Sequence, residues 1–140
     1  MSETGLGPDQ QGQRADVELR LPADGAYVSV LRTTTAGLAA RLDFPIDDIE
    51  DLRIAVGEAS AMVLAEADPG GELLCRFYLR PGELTVSVGV TASHVVAAPD
   101  YDSFAWQVLS TLATHAEAEA SNGRFSVTLT MESGILEADG

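Results

Sequence analysis

The sequence predicts a two-layer α/β sandwich of the α+β class, with a mostly antiparallel sheet and helices on one face. Three observations predict it. Residues 45–67 carry apolar side chains at helical spacing, residues 73–79 and 84–90 alternate as two strands joined by Pro81-Gly82-Glu83, and a second helical stretch and a final alternating run follow. The predicted order is strand, helix, helix, strand, strand, helix, strand, and helices beside an antiparallel hairpin bury their apolar stripes on one sheet face. At 140 residues the chain suits one domain with a proper core, since a domain of this size buries roughly two-thirds of its unfolded surface. No internal repeat is present.

Residues 1–15 are rich in Gly, Gln, Ser and Pro and read as a disordered N-terminal tail. Val17, Leu19 and Leu21 then alternate with Asp16, Glu18 and Arg20, the pattern of a half-buried strand. Pro22-Ala23-Asp24-Gly25 is a turn. From 26 to 41, Tyr27, Val30, Leu31 and Leu38 recur at helical spacing, with Leu42 following. The run Thr33-Thr34-Thr35 weakens intrinsic propensity, so packing must supply the rest.

The central helix is the clearest element. Ile46, Ile49, Leu52, Val56, Ala59 and Val63 line one face, Pro45 suits the first helical position, and Asp47, Asp48, Glu50 and Asp51 suit the positive end of the dipole. Asp68-Pro69-Gly70-Gly71 ends it. Glu58 stands out among small and apolar neighbours, on a stripe with Ile54 and Met62.

Leu73, Cys75, Phe77 and Leu79 form the inward face of the next strand, and Leu84, Val86, Val88 and Val90 that of its partner. Arg76, Tyr78, Arg80, Thr85 and Ser87 read as the solvated face. Residues 91–99 are a loop with His94. Residues 101–120 read as a helix bearing Phe104, Val108, Leu109, Leu112 and His115 near one face, with Glu117 and Glu119 among alanines as its solvated end. Trp106 lies near the edge of that stripe and suits either core packing or a partner contact. Ser121-Asn122-Gly123 turns into a last strand through Phe125, Val127, Leu129 and Met131, so the domain is expected over 16–131 and a second tail over 132–140.

The formal charge of −14 disfavours nucleic acid and anionic membranes, which require clustered Lys and Arg. It suits a basic protein partner. One cysteine, Cys75, excludes an intramolecular disulfide framework. No apolar run approaches the roughly 18–20 residues that span a bilayer, and a cytoplasmic protein is expected. His94 and His115 are too few for a histidine cluster, no Cys/His metal spacing occurs, and no serine has a nucleophile-elbow context.

Residues 40–67, ARLDFPIDDIEDLRIAVGEASAMVLAEA, resemble the region of the anti-sigma factor serine kinases that carries the N box of the histidine-kinase-like (GHKL) ATPases. The element order extends that resemblance over roughly 16–131. In the family an acidic residue polarises the attacking group and an Asn four positions later holds magnesium. The resemblance places Glu58 at the acidic position and Met62 at the Asn position, where a thioether is a poor ligand for a hard cation. It places Val88 or a neighbour where the family's Asp reads adenine. Residues 91–100 are too few for the nucleotide lid, and Asp102-Ser103-Phe104-Ala105-Trp106 replaces the phosphate-binding glycines.

The resemblance implies an anti-sigma factor that binds and sequesters an alternative sigma factor and is countered by an anti-sigma factor antagonist. It marks Arg32, with Thr35 and Arg41, as partner-binding residues, and implies a homodimer. Glu58 is then a vestigial catalytic residue, and no ATP, magnesium or metal site is expected. The alternatives are an active serine kinase that phosphorylates the antagonist with Glu58 as base, and a vacated pocket that takes another small ligand.

Overall fold

A computed structural model describes residues 14–133. Five strands form one antiparallel sheet: β1 (Val17–Pro22), β2 (Glu72–Arg80), β3 (Glu83–Thr91), β4 (His115–Ser121) and β5 (Arg124–Glu132), in the spatial order β1-β2-β3-β5-β4. Three helices, α1 (Val28–Arg41), α2 (Ile46–Leu64) and α3 (Phe104–Leu112), supply the second layer, and a short 3-10 turn at Gly25–Tyr27 leads into α1. The α+β sandwich with a mostly antiparallel sheet is therefore the observed architecture.

The core lies between the layers. Ile49, Leu52, Ala55, Val56, Ala59 and Val63 of α2 bury against Leu84, Val86, Val88 and Val90 of β3 and Val127 and Leu129 of β5, with Leu31, Trp106 and Leu109 completing the cluster. Trp106 is thus a core residue, held edge-on to Tyr101 at 5.0 Å between ring centroids. Cys75 is fully buried, and desolvation pushes its thiol up to about 12.

Three local expectations are corrected. Ile46 is 70% exposed and contributes nothing to the core, because it opens α2 ahead of the first full turn on the sheet. Pro45 caps α2 with extended backbone instead of starting it. The third correction is larger. The helix expected over 101–120 stops at Leu112, where Ala113 turns extended, and residues 115–121 form the edge strand β4.

The alternation of Ala116, Ala118 and Ala120 with Glu117 and Glu119 fits a strand as well as a helix end, and pairing with β5 along the whole register decides for the strand. Asn122 and Gly123, at φ 54° and 75°, make the tight two-residue turn that this hairpin needs.

The expected tails, 1–15 and 132–140, lie largely outside the described residues. At the C-terminal side β5 continues to Glu132, and Ser133 just beyond it is buried and donates its N–H to the Gly82 carbonyl at 2.8 Å.

Among the described residues the opposite sheet face carries no helix. Its cross-strand rows run Glu18, Arg76, Ser87, Thr128, Glu117 and, beside that, Arg20, Leu74, Gly89, Ser126, Glu119. Small hydroxylic residues floor it along β3 and β5, with the hydroxyls of Thr85 and Thr130 3.1 Å apart.

Candidate functional site

The residues singled out in the sequence converge on α2 and on what crosses it. Glu58 is half-buried on α2, with neither a hydrogen bond nor an ion pair among the described residues. Met62, one turn on, packs its side chain against the core cluster and is only partly accessible. Val88 is fully buried on the helix-facing side of β3, opposite Cys75 and Val127. The arrangement therefore presents one carboxylate next to a thioether, above an apolar interior.

The connection from β3 to α3, residues 92–103, is tied down at its start. Asp68, just beyond α2, accepts hydrogen bonds from the Ser93 N–H at 2.9 Å and from the Ser93 hydroxyl at 3.0 Å. These bonds, the backbone one foremost, hold the Asp68 carboxyl below its ordinary value, and the nearby His94 lowers it further. His94 Nε2 lies 2.8 Å from Glu66 Oε1. Ser103 caps α3 with its own side chain, accepting from the Trp106 N–H at 3.2 Å, while Asp100 accepts from the Asp102 N–H at 2.9 Å. Carboxylates and a self-supplied cap thus stand at the helix end where a phosphate would need free amides and positive potential.

Arg32 of α1 reaches α2 beside Glu58. A β-carbon on Gly57 would stand 2.9 Å from Arg32 Nε and 3.1 Å from Nη2, so the guanidinium rests against the bare Cα of the residue before Glu58. Arg32 forms no ion pair or hydrogen bond among the described residues.

The other two expected contact residues are elsewhere. Thr35 is fully buried and donates its hydroxyl to the Leu31 carbonyl at 2.8 Å, so it belongs to packing and offers no surface. Arg41 is exposed at the end of α1, nine positions from Arg32 and so about 13.5 Å further along the axis. Among the described residues no group of three or more His, Cys, Asp or Glu is placed to hold a metal.

Known proteins share part of this sequence. Over 74 residues, 51% of its length, the chain is 38% identical to the serine-protein kinase RsbW of Bacillus thuringiensis strain Al Hakam, and to the same extent to that of Bacillus anthracis. The chain is similar to these RsbW proteins over that segment. The match spans 46% of their length, so the chain covers about half of the relatives it matches.

Two solved structures share the fold. The crystal structure of the RsbU and RsbW domains of a Mycobacterium tuberculosis protein superposes with a TM-score of 0.66 at 17% identity, over 84% of this chain and 31% of that one. The histidine kinase domain of a blue-light activated kinase from Erythrobacter litoralis superposes with a TM-score of 0.57 at 12% identity, over 97% and 70%. The fold is therefore of the histidine-kinase-like (GHKL) type. No protein-family model matches the chain.

Gly57, the seat of Arg32, was not legible beforehand, because nothing in the sequence links positions 32 and 57. The clasp of Asp68 on Ser93 was hidden for the same reason.

Proposed function

We propose that this RsbW-like chain acts as an anti-sigma factor that sequesters an alternative sigma factor, yields it to an anti-sigma factor antagonist, and does so without ATP-dependent kinase activity. The observation that carries the second half of this reading is Met62. It occupies the turn after Glu58, where the resembled family places the magnesium-holding amide, and it packs, partly buried, against the core cluster. Magnesium takes oxygen ligands in a near-octahedral shell, and a thioether sulfur is a poor ligand for so hard a cation.

Two further features support the reading. Val88 offers no hydrogen-bond acceptor to an adenine amino group, and the N-terminus of α3 is capped by Ser103 and flanked by Asp100 and Asp102. Glu58 then serves as a surface carboxylate beside the partner-contacting Arg32. A protein regulator of this kind works in the cytoplasm, and among the described residues no helix is long and apolar enough to cross a membrane. We also assign it a homodimeric state, on the resemblance alone.

A second reading, an active serine kinase, is favoured by two observations: the similar RsbW proteins are named serine-protein kinases, and Glu58 stands on α2 at the acidic position that the resemblance marks. The two readings separate on nucleotide. Magnesium-ATP at 1 mM should leave the thermal midpoint unchanged and transfer no phosphate to the antagonist, because ligand binding to the native state alone raises the midpoint. A midpoint shift with phosphate transfer that disappears in Glu58→Ala would establish the kinase instead.

A further inference from the structure

Charge and apolar exposure are both segregated by layer. All eight basic residues are arginines. On the open sheet face Arg76 pairs with Glu18 at 3.1 Å and Arg20 with Glu72 at 3.4 Å, so that face balances much of its own charge. The helical layer does not: residues 23–71 and 92–114 carry eleven carboxylates and only three arginines. The exposed large hydrophobic residues, Tyr27, Val30, Ile46, Ile54, Val95, Tyr101 and Phe104, all belong to that layer or its loops, and none is on a strand.

Within the layer the two properties meet on α2. Ile46, Glu50, Ile54 and Glu58 recur every four residues along its outer side, with the two isoleucines 70% and 50% exposed. Asp47 and Asp51 flank them, and Arg53 is engaged with Glu50 at 3.8 Å. At the far end of this stripe the Arg32 guanidinium lies against Gly57.

We propose that this outer ridge of α2 is a docking surface for a basic amphipathic helix of the partner protein. Ile46 and Ile54, eight residues and so about 12 Å apart along the axis, match apolar anchors two turns apart on a helix laid alongside. The surrounding carboxylates select Lys and Arg on its flanks and disfavour acidic helices by like-charge repulsion. Arg32 is the cation on this ridge without an ion pair among the described residues. It takes a carboxylate or a helix-terminal carbonyl of the partner and thereby sets the register. The inference rests on the proposed function only for the identity of the partner; the surface and the chemistry it selects stand apart from it.

The test uses the full chain, isotope-labelled, titrated with a synthetic helical peptide of about 18 residues, five turns, patterned with Leu on one face and Lys on the flanks. Amide shifts should concentrate at residues 46–58. Ile46→Ser with Ile54→Ser should weaken binding at least tenfold without lowering the thermal midpoint, since both side chains are already exposed, and Asp47→Asn with Asp51→Asn should weaken it independently. The same peptide with Glu in place of Lys should not bind. No binding of the Lys peptide, shifts confined to the open sheet face, or an affinity untouched by both double variants would overturn the proposal. Docking of the peptide by a chain that binds no sigma factor would instead remove the partner-switching reading and leave this surface in place.

Discussion

Arg32 lies across α2 with its guanidinium against Gly57, and a β-carbon at that glycine would come within 2.9 Å of Nε. The relationship joins α1 to the residue before Glu58. It also makes a prediction whose two parts have opposite signs. Alanine is favoured over glycine inside a helix by about 1 kcal/mol, and the group in its way is the far end of a flexible side chain. Gly57→Ala should therefore raise stability by roughly 0.5–1 kcal/mol in urea unfolding while driving Arg32 off its seat. Partner affinity should fall in the same variant. A destabilised Gly57→Ala protein would mean that Arg32 is held by more than the glycine.

Arg32 itself is predicted to matter for binding and not for folding. Arg32→Ala should cost the sigma-factor complex at least about tenfold in affinity, near 1.4 kcal/mol, with an unchanged unfolding midpoint. Calorimetric titration reads it directly. A change within about twofold would show that the carry-over from the anti-sigma kinases fails at this position.

The Asp68 clasp predicts a pH dependence. Its folded-state pKa lies below the ordinary carboxylate value of 3.8, chiefly through the backbone and hydroxyl hydrogen bonds of Ser93. A depressed pKa stabilises the fold above the unfolded value, and that contribution is lost as pH falls through the folded one. Stability should thus decline in acid below about pH 4, and Asp68→Asn should show a flatter profile across that window. Parallel profiles for the two proteins would remove Asp68 from the account.

The Asn122-Gly123 turn tests the strand that replaced an expected helix end. Gly123 sits at φ 75°, where a side chain costs roughly 1 kcal/mol. The nearest atom to an added β-carbon is the Ala92 carbonyl oxygen at 3.7 Å, an ordinary contact, so backbone strain is the whole expected cost. Gly123→Ala should lower stability by about 1 kcal/mol. A neutral substitution would argue that β4 is not held by this turn.

These cases also show what the sequence could carry. Strands whose apolar residues alternate in sequence, such as Val17–Pro22, Glu72–Arg80 and Glu83–Thr91, were legible because successive side chains point to opposite faces, although in Glu83–Thr91 burial extends to Thr85 and Gly89 on the other face. The helix Ile46–Leu64 was legible from its 3.6-residue period, but its first isoleucine was not, since periodicity cannot tell where the neighbouring layer ends. His115–Ser121 was misread because alanine and glutamate favour helices intrinsically, and only the ladder to β5 overrules them. At the site, the local positions Glu58 and Met62 were readable, whereas the burial of Thr35 and the seat of Arg32 depend on contacts between helices.

Cys75 gives a check on core integrity. With its thiol raised to about 12 and its side chain fully buried, thiolate at pH 8 amounts to about one molecule in ten thousand. Alkylation by iodoacetamide should be negligible in the native protein and prompt in denaturant. Rapid labelling of the native chain would contradict the packing described for β2.

The most direct measurement is calorimetric titration of the purified chain with a purified alternative sigma factor from the same cell, in the presence and absence of magnesium-ATP. A complex of the same affinity is expected under both conditions. Binding that appears, vanishes or shifts tenfold with ATP would contradict it and make the nucleotide a working part of the protein, and a chain that binds none of the cell's alternative sigma factors would contradict the sequestration itself.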